Sequence, residues 1–228
     1  MTIVVLSSSP NAAGLTAACA RSAVEAALAA APSIQVKEIR LNGANIGLCK
    51  ACGDGWGTCR SEHHCQVEDG FQAIHREVIN ADAVVLVTPV YWGEMSESAK
   101  AFTDRLRRCE ASAGAASRLR SKPVIAVAAA GHSGRGLGSC LRSLERLIRH
   151  VQARQFDLFG VNRWNRQDML RAIGESTAAM VRGDRRKNGE GLGRMKLAVV
   201  DFLWTVMTRN QLRRRLIAFI RRRWSGNR

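Results

Sequence analysis

Four cysteines crowd into residues 49–65 in the pattern Cys49-x2-Cys52-x6-Cys59-x5-Cys65. Thiolates so close in sequence can converge on one metal centre, and soft sulfur suits an iron–sulfur cluster or zinc. His63 and His64 fall in the same window and offer nitrogen ligands suited to zinc. Thiols that merely line a loop are the third reading. A second set of residues is spread over three stretches rich in Ser or Gly. Ser7, Ser8, Ser9 and Thr16 supply hydroxyls around Gly14. That composition suits a neutral phosphate cradle, in which backbone N–H groups and a helix dipole take the place of cations. It is neither a Walker loop nor a Gly-x-Gly-x-x-Gly fingerprint. Thr88-Pro89-Val90-Tyr91-Trp92-Gly93 offers two aromatics able to cover a flat ring. Gly131-His132-Ser133-Gly134-Arg135-Gly136 lets the backbone approach a ligand closely. No residue is assigned as a catalytic acid, base or nucleophile, and His132 reads as an ordinary loop histidine.

These stretches need a scaffold, and the pattern between them supplies one. Thr2–Leu6, Ile34–Leu41, Ala83–Val87, Val124–Ala130 and Gln155–Val161 read as strands, two of them continuously apolar as if covered on both faces. Helices are expected over 16–31, stopped by Pro32, and over 68–80, where Phe71, Ile74, Val78 and Ile79 share a face. Further helices are expected from Ser96, a good N-cap, to about Cys109, and over 137–150 and 167–181. Residues 42–66 read as a long loop. The alternation predicts a doubly wound α/β domain with a five-stranded parallel sheet. In such sheets ligands bind outside the carboxyl ends of the strands, where the Ser- and Gly-rich stretches lie. Cys19, Cys109 and Cys140 fall within helices and read as small core residues.

Together the three stretches resemble the NADPH-dependent FMN reductase-like branch of the flavodoxin superfamily. Ser8-Ser9-Pro10-Asn11-Ala12-Ala13-Gly14-Leu15-Thr16 is similar to that family's Gly-Ser-Pro-Arg-x-x-Gly-Asn-Thr, differing at Ser8, Asn11 and Leu15. Thr88-Pro89-Val90-Tyr91-Trp92-Gly93, continuing into Lys100-Ala101-Phe102-Thr103-Asp104-Arg105, is similar to its Ser-Pro-Val-Tyr, a Gly, then Lys-x-Phe-x-Asp-Arg. The resemblance covers about residues 1–181. It implies FMN phosphate near Ser9, Asn11, Leu15 and Thr16. It also implies isoalloxazine contacts near Pro89, Val90, Tyr91, Trp92 and Gly93, and near Gly131, His132, Ser133 and Gly134. The implied activity is an oxidoreductase fed by NAD(P)H, with a small-molecule or protein electron acceptor such as a quinone, nitro compound, flavin or protein. A homodimer paired through the flavin edge is expected. The cysteine window resembles the compact motif of iron–sulfur flavoproteins in the same family, where the third cysteine usually follows the second after two residues instead of six. It implies a [4Fe-4S] cluster on Cys49, Cys52, Cys59 and Cys65, and with it an electron carrier as a competing function. A second competitor is a peripheral membrane protein whose flavodoxin-like body has lost its cofactor.

The chain has 228 residues, 46% of them hydrophobic, enough for one such domain and an extension. Its first residues lack a basic stretch before the apolar run, and no apolar stretch is long enough to span a bilayer, so a cytoplasmic protein is expected. Residues 182–228 hold 14 Lys and Arg against 3 Asp and Glu, most of the net charge of +16. The division expected is a domain over 1–181, a linker over 182–194 and a basic amphipathic helical tail over 195–228. Leu212, Leu216, Phe219, Ile220 and Trp224 share a helical face beside Arg213–Arg215 and Arg221–Arg223. That face suits the body of the protein or a second subunit, or else an anionic membrane surface. Nucleic acid is the unlikely partner, because no binding module is recognisable.

Overall fold

A computed structural model describes residues 1–110, 116–131 and 134–184. All of these belong to the first of two units, Met1–Glu190. The proposed tail, and the linker beyond residue 184, lie outside the described residues.

Largely apolar runs form β1 (Thr2–Ser7), β3 (Ala83–Tyr91) and β5 (Pro123–Ala129), while the more polar β2 (Gln35–Arg40), short β4 (Glu94–Met95) and β6 (Arg154–Val161) complete the strands. Five of them pair in parallel in the order β2-β1-β3-β5-β6, while β4 pairs antiparallel with the end of β3. The expected flavodoxin-like sheet is therefore present, with one strand added. Alternate side chains serve two buried faces. Ile3, Val5, Val85, Val87, Ile125 and Val127 pack against α1 (Leu15–Ala30) and α6 (Arg166–Val181). Leu6, Val84, Leu86, Val124 and Ala126 face side chains of α3 (Phe71–Asn80), α4 (Glu97–Glu110) and α5 (Leu137–His150), the remaining α2 being Thr58–Ser61. Each fully buried Val or Leu contributes about 1.5–3 kcal/mol, so both faces are needed to hold the sheet. Small residues let α1 and α6 approach closely: Ser22 Oγ donates to Leu170 O at 2.7 Å, and a Cβ on Gly174 would stand 3.3 Å from that hydroxyl.

Three elements depart from the sequence reading. The stretch after residue 87 is not a simple turn. β3 runs on to Tyr91 and folds back through Trp92 and Gly93 into β4, with φ of 53° and 87° at the two central residues. Positive φ at both positions is the type I′ hairpin turn, and only its second position carries the expected glycine. The loop over 42–66 holds one helical turn, α2, too short to show a period. Helix α3 also begins three residues later than expected, at Phe71, whose N–H donates to Asp69 Oδ1 at 2.9 Å. Among the described residues no helix is long and apolar enough to cross a membrane.

Candidate functional site

The chain order reverses between β1 and β3, which places the loops after these strands at the switch point of the sheet. The first loop is built from its own polar groups. Asn11 N–H donates to Ser9 Oγ (3.2 Å), Ala13 N–H to Asn11 Oδ1 (3.0 Å) and Gly14 N–H to Asn11 O (3.3 Å). This Asx-type turn leads into α1, whose N-cap is Gly14. No side chain caps that end and no acidic residue occupies its first turn. The first N–H groups of α1 thus have no acceptor from the helix itself, and the dipole leaves this end partly positive. Thr16 is buried, and Leu15 turns its half-buried side chain to the core, offering the loop its backbone alone. Ser8, read as a ligand hydroxyl, is instead 1% exposed. Its Oγ donates to Val87 O (3.4 Å) and accepts from Ser96 Oγ (2.9 Å), so it forms the floor beneath the loop. Sequence reasoning also missed Arg21, whose Nη1 donates to Ala12 O at 3.2 Å from two turns along α1.

The second loop is the hairpin. Pro89 is buried and Val90 half-buried, whereas Tyr91 is exposed and Trp92 stands fully in solvent at the tip. Glycines seat the tip on the third loop. A Cβ on Gly136 would lie 2.4 Å from Gly93 Cα, and both glycines have positive φ. Gly134, with φ of 75°, passes Asn162 so closely that a Cβ there would meet its Nδ2 at 3.0 Å. Gly131 has open space around it; His132 and Ser133 lie outside the described residues. Asn162 introduces a fourth loop that sequence reasoning did not single out. It follows β6, where Asn162 Oδ1 accepts the N–H groups of Trp164 (2.8 Å) and Asn165 (3.1 Å). Trp164 is 71% exposed there, with Arg163 Cζ 4.1 Å from its ring centre.

The cysteine segment forms a separate recess. Cys49, Cys52, Cys59 and Cys65 all line one small, solvent-open recess, together with Arg105 and Arg108. The six residues between Cys52 and Cys59 are a built turn. Gly55 N–H donates to Cys52 O (3.1 Å), Arg108 Nη1 to Gly55 O (2.5 Å), and Trp56 lies against the guanidinium groups of Arg108 (4.7 Å) and Arg60 (5.7 Å). Helix α2 then carries Cys59 back to the recess. Among the described residues no three His, Cys, Asp or Glu side chains stand close enough together to hold a single metal ion. His63 Nδ1 lies 2.7 Å from Cys109 O, a contact within the fold.

Residues 1–160 match the family model of the NADPH-dependent FMN reductases. The chain belongs to this family. Among relatives of this reductase family, it is 30% identical over 107 residues to an iron–sulfur flavoprotein of Methanocaldococcus jannaschii, covering 47% of this chain and 52% of that protein. It is 31% identical over 72 residues to an iron–sulfur flavoprotein of Archaeoglobus fulgidus, covering 32% and 31% of the two chains. The chain thus spans about a third to a half of the length of the curated relatives it matches. In fold it is similar to the NAD(P)H:quinone oxidoreductase of Methanothermobacter marburgensis, with a TM-score of 0.63 at 14% identity over 82% of this chain and 99% of that one.

Within this FMN reductase-family fold the remaining cysteines behave as core. Cys19, Cys109 and Cys140 are fully buried, and burial pushes each thiol up to about 12. Since the thiolate is the nucleophile, these three should resist alkylation in folded, metal-free protein at pH 8, while Cys49, Cys52 and Cys59 react within minutes. Peptide mass spectrometry after a timed iodoacetamide pulse reads the difference; equal labelling of Cys19 and Cys49 would contradict the packing described.

Proposed function

We propose that the chain is an FMN-dependent NAD(P)H oxidoreductase that passes electrons to a quinone, nitro compound, flavin or protein acceptor. The observation carrying this reading is the placement of the loops after β1 and β3 at the switch point of the sheet, with the glycine-rich loop after β5 seated on the second of them, in a chain of the FMN reductase family. The residues present fit the group. The uncapped start of α1, with the Ser9 and Asn11 side chains, would hold the phosphate. The backbone of residues 89–93 and of Gly131 and Gly134 would address the ring edge, with Tyr91 and Trp92 shielding it from water. Bound there, FMN supplies acceptance of a hydride from nicotinamide and its release as one or two electrons. The protein's part is to hold donor and acceptor in register and keep water out, so no acid, base or nucleophile is required.

Protein purified without added flavin should bind FMN in equilibrium dialysis, and the flavin absorbance should bleach anaerobically with NADPH or NADH. Folded protein that leaves excess FMN unbound would end this reading.

A second reading is favoured by the four cysteines around one recess. Four thiols lining one recess, with the guanidinium groups of Arg105 and Arg108 beside them, are a donor set suited to the soft, negatively charged shell of an iron–sulfur cluster. We therefore assign Cys49, Cys52, Cys59 and Cys65 to an iron–sulfur cluster, which supplies one-electron transfer when bound. Pairing of two chains through the loop edge is supported by the exposed Trp92 and Trp164. A second subunit or an anionic membrane surface is proposed as the partner of the basic 195–228 segment.

A further inference from the structure

Arg105 takes no part in the flavin site described above. Its side chain is 0% exposed. Nη1 donates to Gly47 O (3.1 Å) and Asp69 Oδ2 (2.6 Å), Nη2 donates to Val67 O (2.8 Å), and the Phe71 ring centre lies 4.4 Å from Cζ. Gly47 and Val67 stand two residues outside Cys49 and Cys65, so one guanidinium ties the two ends of the cysteine segment together. Its Nε is buried with no hydrogen-bond partner among the described residues. Arg105 also lines the recess shared by the four cysteines. A buried N–H without an acceptor is costly and rare in folded proteins, and each one calls for an explanation. The recess beside it is lined by the four cysteines along with Lys50, Thr58, Gln66 and Arg108. Arg108 differs, being half-exposed and engaged with Gly55 O and Trp56.

We infer that Arg105 is the positioning residue of the cysteine centre, bracing both ends of its loop and donating Nε–H to a sulfur of the cluster held there. This rests on the reading of the recess as an iron–sulfur site. A cation and a hydrogen bond beside the sulfurs favour the more negative, reduced state and raise the reduction potential. Lysine keeps the charge but loses the planar fork that spans two carbonyls, and glutamine loses both.

The test compares wild type, Arg105→Lys and Arg105→Gln, each purified anaerobically and reconstituted with iron and sulfide. Circular dichroism, iron and acid-labile sulfide content, and the spectroelectrochemical midpoint potential are read for each. The midpoint is expected to fall in both variants, further in Arg105→Gln. Because either variant can fail to fold, a second measurement uses wild type with arginine isotopically labelled at nitrogen. Its reduced cluster should show an arginine nitrogen coupling by pulsed electron paramagnetic resonance, and Arg108→Gln should retain it. An unchanged midpoint in folded, iron-loaded variants, or no arginine coupling in wild type, overturns the role of Arg105 while leaving the cluster in place. Wild type that takes up neither iron nor sulfide overturns the cluster reading and this inference together.

Discussion

Replacing Glu110 with alanine should lower the free energy of unfolding by about 1–3 kcal/mol. The Glu110 side chain is 0% exposed at the end of α4 and serves as the shared acceptor of a buried network. Oε1 lies 2.8 Å from His75 Nε2 and accepts from Arg118 Nε (3.1 Å) and Nη2 (2.7 Å). Oε2 accepts from the Arg118 N–H (2.8 Å) and Ser117 Oγ (3.2 Å). Arg118 Nη2 also donates to His63 O at 2.6 Å, which ties the network to the cysteine segment. Removing the carboxylate takes the acceptor from the buried His75 ring, the Ser117 hydroxyl and the Arg118 N–H at once, while the Arg118 guanidinium keeps His63 O and solvent. Burial alone would push this carboxyl up, but the hydrogen bonds from His75 and Arg118 outweigh it and hold Glu110 at about 2, below its ordinary 4.5. A depressed carboxyl pKa stabilises the fold fully above the unfolded value. That contribution is lost as pH falls from about 4.5 through about 2. Denaturant unfolding of wild type, Glu110→Ala and Glu110→Gln at pH 7 and at steps below pH 5 measures both effects. Glu110→Gln should flatten the acid limb of the stability curve; a loss under 1 kcal/mol for Glu110→Ala would show that the network does not hold α4 in place.

Gly136→Ala should weaken FMN binding at least tenfold and lower the melting temperature. Gly136 has φ of +79°, which costs an L-residue about 1–2 kcal/mol. Its added Cβ would also stand 2.4 Å from Gly93 Cα and 2.8 Å from Gly93 N, both main-chain atoms that cannot swing aside. Forced overpacking of this kind adds about 1–3 kcal/mol. Relief requires the hairpin tip to move off the third loop, and 1.4 kcal/mol of displaced ligand contact is already a factor of ten in affinity. Gly183→Ala separates the two causes, since Gly183 shares a φ of +79° but has open space around it. Isothermal calorimetry with FMN on both variants decides the matter: equal binding by Gly136→Ala and wild type would place the flavin away from this junction.

Where one residue pattern dominated, the sequence was a reliable guide. Continuous aliphatic runs such as Ala83–Val87 and the face-sharing Leu141, Leu144 and Ile148 have one favourable burial each, so the parallel strands and α5 stand where expected. The hairpin was hidden because its first turn position is Trp92, a residue with no preference for positive φ, so the Gly93 signal stood alone. Helix α2 is a single turn and has no period to read. Ser8 and Ser9 look alike in sequence; only the seating of Ser96, just ahead of α4, buries the first and leaves the second at the surface of the loop. Arg21 escaped notice, and Arg105 was read only as the end of a family motif, for the same reason. Their partners, Ala12 O in one case and Gly47 O and Val67 O in the other, are main-chain carbonyls brought near by folding, and carbonyls leave no mark on residue type.

Ser8 N–H donates to Val87 O at 3.2 Å, Ser96 N–H to Thr88 Oγ1 at 3.1 Å, and Ser96 Oγ back to Ser8 O at 3.2 Å. These bonds fasten the bases of the first two loops to neighbouring strands whose spacing, about 4.8 Å, belongs to every β-sheet. The gauge between those two loops is thereby a property of main-chain architecture. Drift at Ser9, Asn11 or Trp92 can alter how firmly a guest is gripped while its permitted dimensions stay the same. Changing the gauge itself would demand slipping β1 against β3, and a slip of one residue would turn Ile3 and Val5 toward the opposite helical layer.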